Sequence, residues 1–142
     1  MDKDLKRMII LENYQNPKNK QIPTEEGYVK INSNNVSCID NLDIYVKTEN
    51  DIIKDIKYEG EACVICISST SIITNLLIGK TIEEAKDIIE NYHNMIEEKP
   101  YNKDILKEAL VYDDIYKQPS RKTCATLATR GLSKLLDQTT EK

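Results

Sequence analysis

Tryptophan and phenylalanine are absent from these 142 residues, and histidine occurs once. Long apolar runs are missing as well. Each scarcity excludes something. Without Trp or Phe, any aromatic packing in the core falls to the eight tyrosines. A lone imidazole, His93, excludes any site that needs two, so a metal site would have to be built from sulfur and carboxylate. The longest apolar stretch, residues 72–78, is broken by Thr74 and Asn75. A bilayer span needs about 20 apolar residues, so no membrane partner is expected. Met1-Asp2-Lys3-Asp4 is not a basic segment leading into an apolar one, and a cytoplasmic location is the expectation. Positive charge is not in excess either. The net charge of −4 and pI near 5.1 argue against a nucleic-acid partner, whose docking face is usually basic.

What is present is enough for one folded unit. Hydrophobic residues make up 39% and charged residues 31%, a balance that excludes disordered and fibrous chains. A mass of 16.3 kDa scales to a folded surface of roughly 7,500 Å². Residues 1–142 are therefore expected to form a single domain with its own core.

Hydrophobic periodicity orders the chain. Residues 1–15 place Leu5, Met8 and Ile9 on one face of a helix. Asn16-Pro17 stops it, because proline disfavours helical backbone in the residue before it. A polar connector runs through Glu26, and residues 27–31 alternate like a short strand. Residues 32–37, rich in Asn and Ser, read as a loop. Leu42, Ile44 and Val46 alternate with polar partners, and residues 52–59 repeat the pattern after a polar turn, as an antiparallel hairpin does. Beyond Gly60 the period lengthens. A helix is predicted over 64–78, capped by Gly79. Another is predicted from Thr81 to about Glu98, opened by a capping box with Glu84. A short helix is expected from Asp104 to about Val111, and a last one, capped by Ser120, carries Cys124, Leu127, Ala128, Gly131 and Leu135 on one stripe. The fold class is α+β, a small antiparallel sheet of about three strands packed against about five helices.

Four cysteines stand at 38, 63, 66 and 124. In a reducing compartment, metal binding or thiol chemistry is a better expectation than disulfides. Cys38 and Asp40 lie two apart, so in an extended segment both project to one side. Cys63 stands where strand gives way to helix, and a helix N-terminus favours an anion and lowers a thiol pKa. Cys124 is expected in the first turn of the last helix, behind Arg121 and Lys122, with the same benefit. Three thiols and a carboxylate make the four ligands that tetrahedral Zn²⁺ takes. Their wide spacing is by itself only a weak signal of a shared site, and separate roles stay open. Cys66, inside a helical apolar run, reads as a small core hydrophobe rather than a ligand. Cys63-Val64-Ile65-Cys66 lacks the second C-x-x-C of a zinc ribbon. His93 reads as a surface or boundary residue of an amphipathic helix.

Five stretches in order resemble the U-type iron–sulfur cluster assembly family: IscU, the N-terminal domain of NifU, and SufU. They are Tyr14-Gln15-Asn16-Pro17-Lys18-Asn19; Cys38-Ile39-Asp40, where the family has Cys-Gly-Asp; Tyr58-Glu59-Gly60-Glu61-Ala62-Cys63 with the run Ser68-Ser69-Thr70-Ser71; Gly79-Lys80-Thr81 through Glu84-Ala85; and Arg121-Lys122-Thr123-Cys124-Ala125-Thr126-Leu127. Thr123 stands where IscU has a histidine, and residues 97–120 resemble a segment that SufU carries, so the likeness is nearest to SufU. It implies a zinc site of Cys38, Asp40, Cys63 and Cys124, with Arg121 in support. It also implies sulfur transfer: Cys38 takes a persulfide sulfur from a SufS-type cysteine desulfurase and passes it to SufBCD-type machinery. The protein would be a co-substrate of the desulfurase rather than a stand-alone enzyme. Two other classes compete. An iron–sulfur scaffold would hold a [2Fe–2S] cluster on Cys38, Cys63 and Cys124. A binding module would hold a purely structural zinc, against which the carboxylate of Asp40 counts. Ile39 in place of glycine, and Asn35-Val36-Ser37 in place of Asn-Pro-[TV], depart from the family pattern.

Overall fold

A computed structural model describes residues 1–35 and 39–140. Helix α1 (Lys3–Gln15) begins at Asp2, whose carboxylate accepts from Leu5 N, and ends at Asn16 as the proline rule requires. Three strands follow: β1 (Val29–Asn34), β2 (Asn41–Glu49) and β3 (Ile52–Glu61). They form one antiparallel sheet in the order β1-β2-β3. Then come α2 (Val64–Leu77), α3 (Ile82–Ile96), α4 (Pro119–Ala125) and α5 (Leu127–Thr140).

The hairpin turns on Asn50 and Asp51, both at positive φ (53° and 62°). That is the backbone of a type I′ turn, whose twist matches the strands. Ile53 and Ile56 are both buried although an even alternation would place them on opposite faces. A register shift between Lys47 and Thr48 inserts one extra residue in β3 and restores the inward face.

Helix α2 is the central element. Its buried residues run almost without interruption from Ile65 to Thr74, and Leu77 follows. Five of them are hydroxylic, and their hydroxyls are bonded locally or across to other elements. Ser69 and Thr70 donate to Cys66 O at 3.0 and 2.7 Å, and Ser71 donates to Asn13 Oδ1 of α1 at 2.7 Å. Small side chains let α1 come close, and the cross-bonds offset the cost of burying hydroxyls. On the sheet, Leu42, Ile44, Val46, Ile56 and Tyr58 face α2 and α5 from one side. The accessible surface is 7995 Å², near the value that mass alone predicts.

Three local expectations are corrected. Residues 32–34, expected as loop, continue β1, because pairing with Asp43, Leu42 and Asn41 outweighs the poor strand propensity of Asn and Ser. The segment after α3 is not an α-helix but three 3₁₀ turns, Lys103–Ile105, Lys107–Tyr112 and Ile115–Lys117. The last helix is two helices rather than one. Pro119 takes the first helical position, as its fixed φ favours. Thr126, at φ −112° and ψ 7°, breaks the run, its Oγ1 donating back to Lys122 O at 2.8 Å. Among the described residues, no helix is long and apolar enough to cross a membrane.

Candidate metal centre

Cys63 is the N-cap of α2. Its backbone is extended (φ −72°, ψ 172°), and its Sγ accepts from Cys66 N at 3.5 Å. The chain reaches this point through Gly60, at φ +140°, where a Cβ would run into the carbonyl oxygen of Asn41 on β2. Only glycine lets β3 stay this close to β2 while turning into the helix. The thiol therefore sits at the N-terminal end of a 14-residue helix.

Asp40, just ahead of β2, is fully buried. Its Oδ1 accepts from Cys63 N at 2.8 Å, and its Oδ2 lies 3.8 Å from Cys63 Sγ. Cys124 completes the group. Ligand atoms of Asp40, Cys63 and Cys124 all lie within 4.8 Å of one another, and among the described residues this is the one cluster of that kind. Three donors thus converge from the entry to β2, the start of α2 and α4. Cys38 lies outside the described residues.

Cys124 is not in a first helical turn, as expected, but in the last turn of the seven-residue α4. The break at Thr126 moves the helix start past it, so the dipole argument made for this residue fails. Burial, reinforced by the neighbouring Asp40 carboxylate and Cys63 thiol, pushes the Cys124 thiol up. A divalent cation at the same point reverses that balance, since a coordinating thiol loses its proton.

The donor set fits zinc. Zn–S and Zn–O bonds of about 2.3 and 2.1 Å at a tetrahedral ion place neighbouring ligand atoms roughly 3.5 Å apart. The Asp40–Cys63 separation of 3.8 Å is close to that edge. Sulfur with carboxylate suits Zn²⁺ better than the all-oxygen shells of Ca²⁺ or Mg²⁺.

The remaining candidates lie elsewhere. Cys66 is fully buried, and burial together with the nearby Asp40, Cys63 and Cys124 pushes its thiol up. It stands outside the ligand group and in the core. Cys66→Ser is expected to leave zinc content unchanged by atomic absorption. Burying a hydroxyl there should cost about 1–3 kcal/mol of stability in a melting curve. Loss of zinc would make Cys66 a ligand. Arg121 is exposed and lines an outer groove with Lys3, Lys6, Arg7 and Val64, one turn before Cys124. His93 sits between α3 and α5 with Nε2 2.7 Å from Thr129 Oγ1, and burial lowers its pKa. It is the boundary residue expected.

Asn35 and Arg130 were not singled out for this site. Asn35 Nδ2 donates to Asp40 Oδ2 at 3.3 Å, and Arg130 donates to Asn35 Oδ1 at 3.1 Å. An asparagine in a polar stretch and an arginine on a helix carry no spacing that would betray this contact.

The NifU-like N-terminal domain family matches residues 6–129. This chain belongs to that family. Over 131 residues it is 34% identical to the zinc-dependent sulfurtransferase SufU of Bacillus subtilis, covering 92% of this chain and 88% of that protein. It is 32% identical over 123 residues to the iron–sulfur cluster assembly scaffold protein IscU of Thermotoga maritima, covering 87% of each. Among solved structures, a putative iron–sulfur cluster assembly scaffold protein for the SUF system from Fervidobacterium islandicum superposes with a TM-score of 0.75 at 28% identity. That match covers 89% of this chain and 95% of the other. The family is that of iron–sulfur cluster assembly proteins, and its α+β fold is the one described above.

Proposed function

We propose that this chain, one NifU-N-like domain over residues 1–142, is a zinc-dependent sulfur-transfer protein of cytoplasmic iron–sulfur cluster assembly. Its partners are a SufS-type cysteine desulfurase, which supplies sulfur, and SufBCD-type machinery, which receives it. The observation that carries the reading is the convergence of Asp40, Cys63 and Cys124 within 4.8 Å. It occurs in a chain 34% identical to a protein named for zinc-dependent sulfur transfer.

Cys38, Asp40, Cys63 and Cys124 would hold the zinc. When bound, the ion keeps its thiols deprotonated yet masked, and exchange of one ligand exposes a nucleophile. Cys63 and Cys124 belong to helices α2 and α4 and keep their places. Asp40 is fixed by Cys63 N–H and by Asn35. Cys38 is the acceptor. Its thiolate attacks the terminal sulfur of the desulfurase persulfide, and the donor's S–S bond breaks. The donor cysteine leaves as thiolate, and Cys38 carries the new persulfide.

The iron–sulfur scaffold is the second reading, favoured by the likeness to IscU. Thr123 precedes Cys124, and its hydroxyl donates to Ser120 O. An imidazole ligand is thus missing at that position. The two readings separate by metal analysis and colour, combined with a desulfurase assay. About one zinc per chain, no visible absorption and faster sulfide release support sulfur transfer. A brown protein with a [2Fe–2S] spectrum and no stimulation supports the scaffold.

Ile39 offers a sharper test. It is 69% exposed, so the packing that would justify an isoleucine there is slight. β-Branching favours extended backbone and resists the positive φ that glycine allows. Ile39→Gly is expected to keep zinc at the same stoichiometry and raise sulfur-transfer turnover. The entropic cost should be about 0.5–1 kcal/mol in denaturant. Unchanged or reduced turnover would remove Ile39 as a restraint on the thiol.

A further inference from the structure

We propose that Arg130 is a positioning residue for the metal centre, acting through Asn35 on the carboxylate of Asp40. The inference rests on the zinc reading above and adds to it the residue that sets the ligand geometry.

Arg130 lies in the first turn of α5 and donates to three residues, one just after β1 and two at the end of α4. Its guanidinium donates to Asn35 Oδ1 at 3.1 Å and to Thr123 O at 2.8 Å, and its Nε donates to Thr126 Oγ1 at 3.2 Å. Thr123 immediately precedes Cys124. Asn35 is bonded twice to Asp40, by Nδ2 to Oδ2 at 3.3 Å and by backbone N to backbone O at 3.0 Å. One side chain therefore joins the backbone beside Cys124 to the residue that holds Asp40.

The polarity of the chain of contacts leaves one arrangement. A guanidinium only donates and a carboxylate only accepts. The amide between them must turn its oxygen to Arg130 and its nitrogen to Asp40. The reverse orientation sets donor against donor and acceptor against acceptor. The positive charge polarises the Asn35 amide and strengthens its bond to the carboxylate. Oδ1 of Asp40 is already engaged by Cys63 N–H, so the Asn35 bond fixes the rotation that aims Oδ2, the oxygen 3.8 Å from Cys63 Sγ. Partners of ligands in this position govern affinity as well as orientation.

The test is zinc affinity by chelator competition, with the absorption of the cobalt-loaded protein as a reporter of ligand geometry. The variants are Arg130→Ala, Arg130→Lys, Asn35→Ala and the double alanine variant. Arg130→Ala and Asn35→Ala should each weaken zinc binding about 10- to 100-fold and shift the cobalt bands. The double variant should be little weaker than either single one, since both break the same relay. Arg130→Lys should recover part of the affinity, as one ammonium cannot serve Asn35 and Thr123 with the guanidinium's fork. A residue that merely closes the end of α4 would lower the melting temperature of the metal-free protein. It would leave zinc affinity and the cobalt spectrum as in the wild type. That result, or independent losses that multiply in the double variant, overturns the proposal while the zinc reading stands. A wild-type protein that takes up neither metal overturns both.

Discussion

Cys63→Ser is expected to strip the metal and give a large loss of stability. Serine is itself a strong N-cap, so the bond now made from Cys66 N to the residue 63 side chain is retained. What disappears is a thiolate ligand. With free zinc roughly 1,000-fold above its Kd, losing a site present only in the folded state costs about 4 kcal/mol. In a chain of this size that is on the order of 10–15 °C in Tm. Cys124→Ser should behave alike. Scanning calorimetry with and without a chelator isolates the cause. Chelator should lower the wild-type Tm to that of Cys63→Ser and leave the variant where it was. A variant that keeps one zinc per chain would remove Cys63 from the ligand set.

Cys38→Ala should abolish the acceleration of sulfide release that the wild-type protein gives its SufS-type desulfurase in the presence of reductant. The reason is chemical rather than structural, because the atom that receives the sulfur is gone. Residual zinc on Asp40, Cys63 and Cys124 should not rescue it, and sulfide release should fall to the rate of the desulfurase alone. Mass spectrometry after a single turnover should find the added sulfur on Cys38 in the wild type and on no residue in the variant. Equal stimulation by Cys38→Ala would remove Cys38 as the acceptor and move that role to Cys124.

Much of this molecule could be read from local pattern. The inward face of β2 is Leu42, Ile44 and Val46 because strand side chains alternate. The capping box of Thr81 and Glu84 and the terminus at Gly79 follow from groups that a helix end must satisfy. Cys63 at the start of α2 was legible because Gly60 and the change of period marked that junction.

Tertiary structure decided the rest. Asn and Ser in residues 32–34 carry no strand signal of their own, and pairing with β2 supplies it. Nothing local announces the break at Thr126. It arises where the chain must lay Leu127, Leu132 and Leu136 on the core while leaving Cys124 beside Asp40. That break placed Cys124 at a helix end instead of a helix start, and so replaced a dipole argument with one of burial. The donor types were fixed by sequence, since one histidine leaves sulfur and carboxylate as the candidate ligands. Their meeting within 4.8 Å, and the Arg130–Asn35 contact beside them, join residues far apart in the chain. Such contacts depend on how sheet and helices pack, which no local spacing encodes.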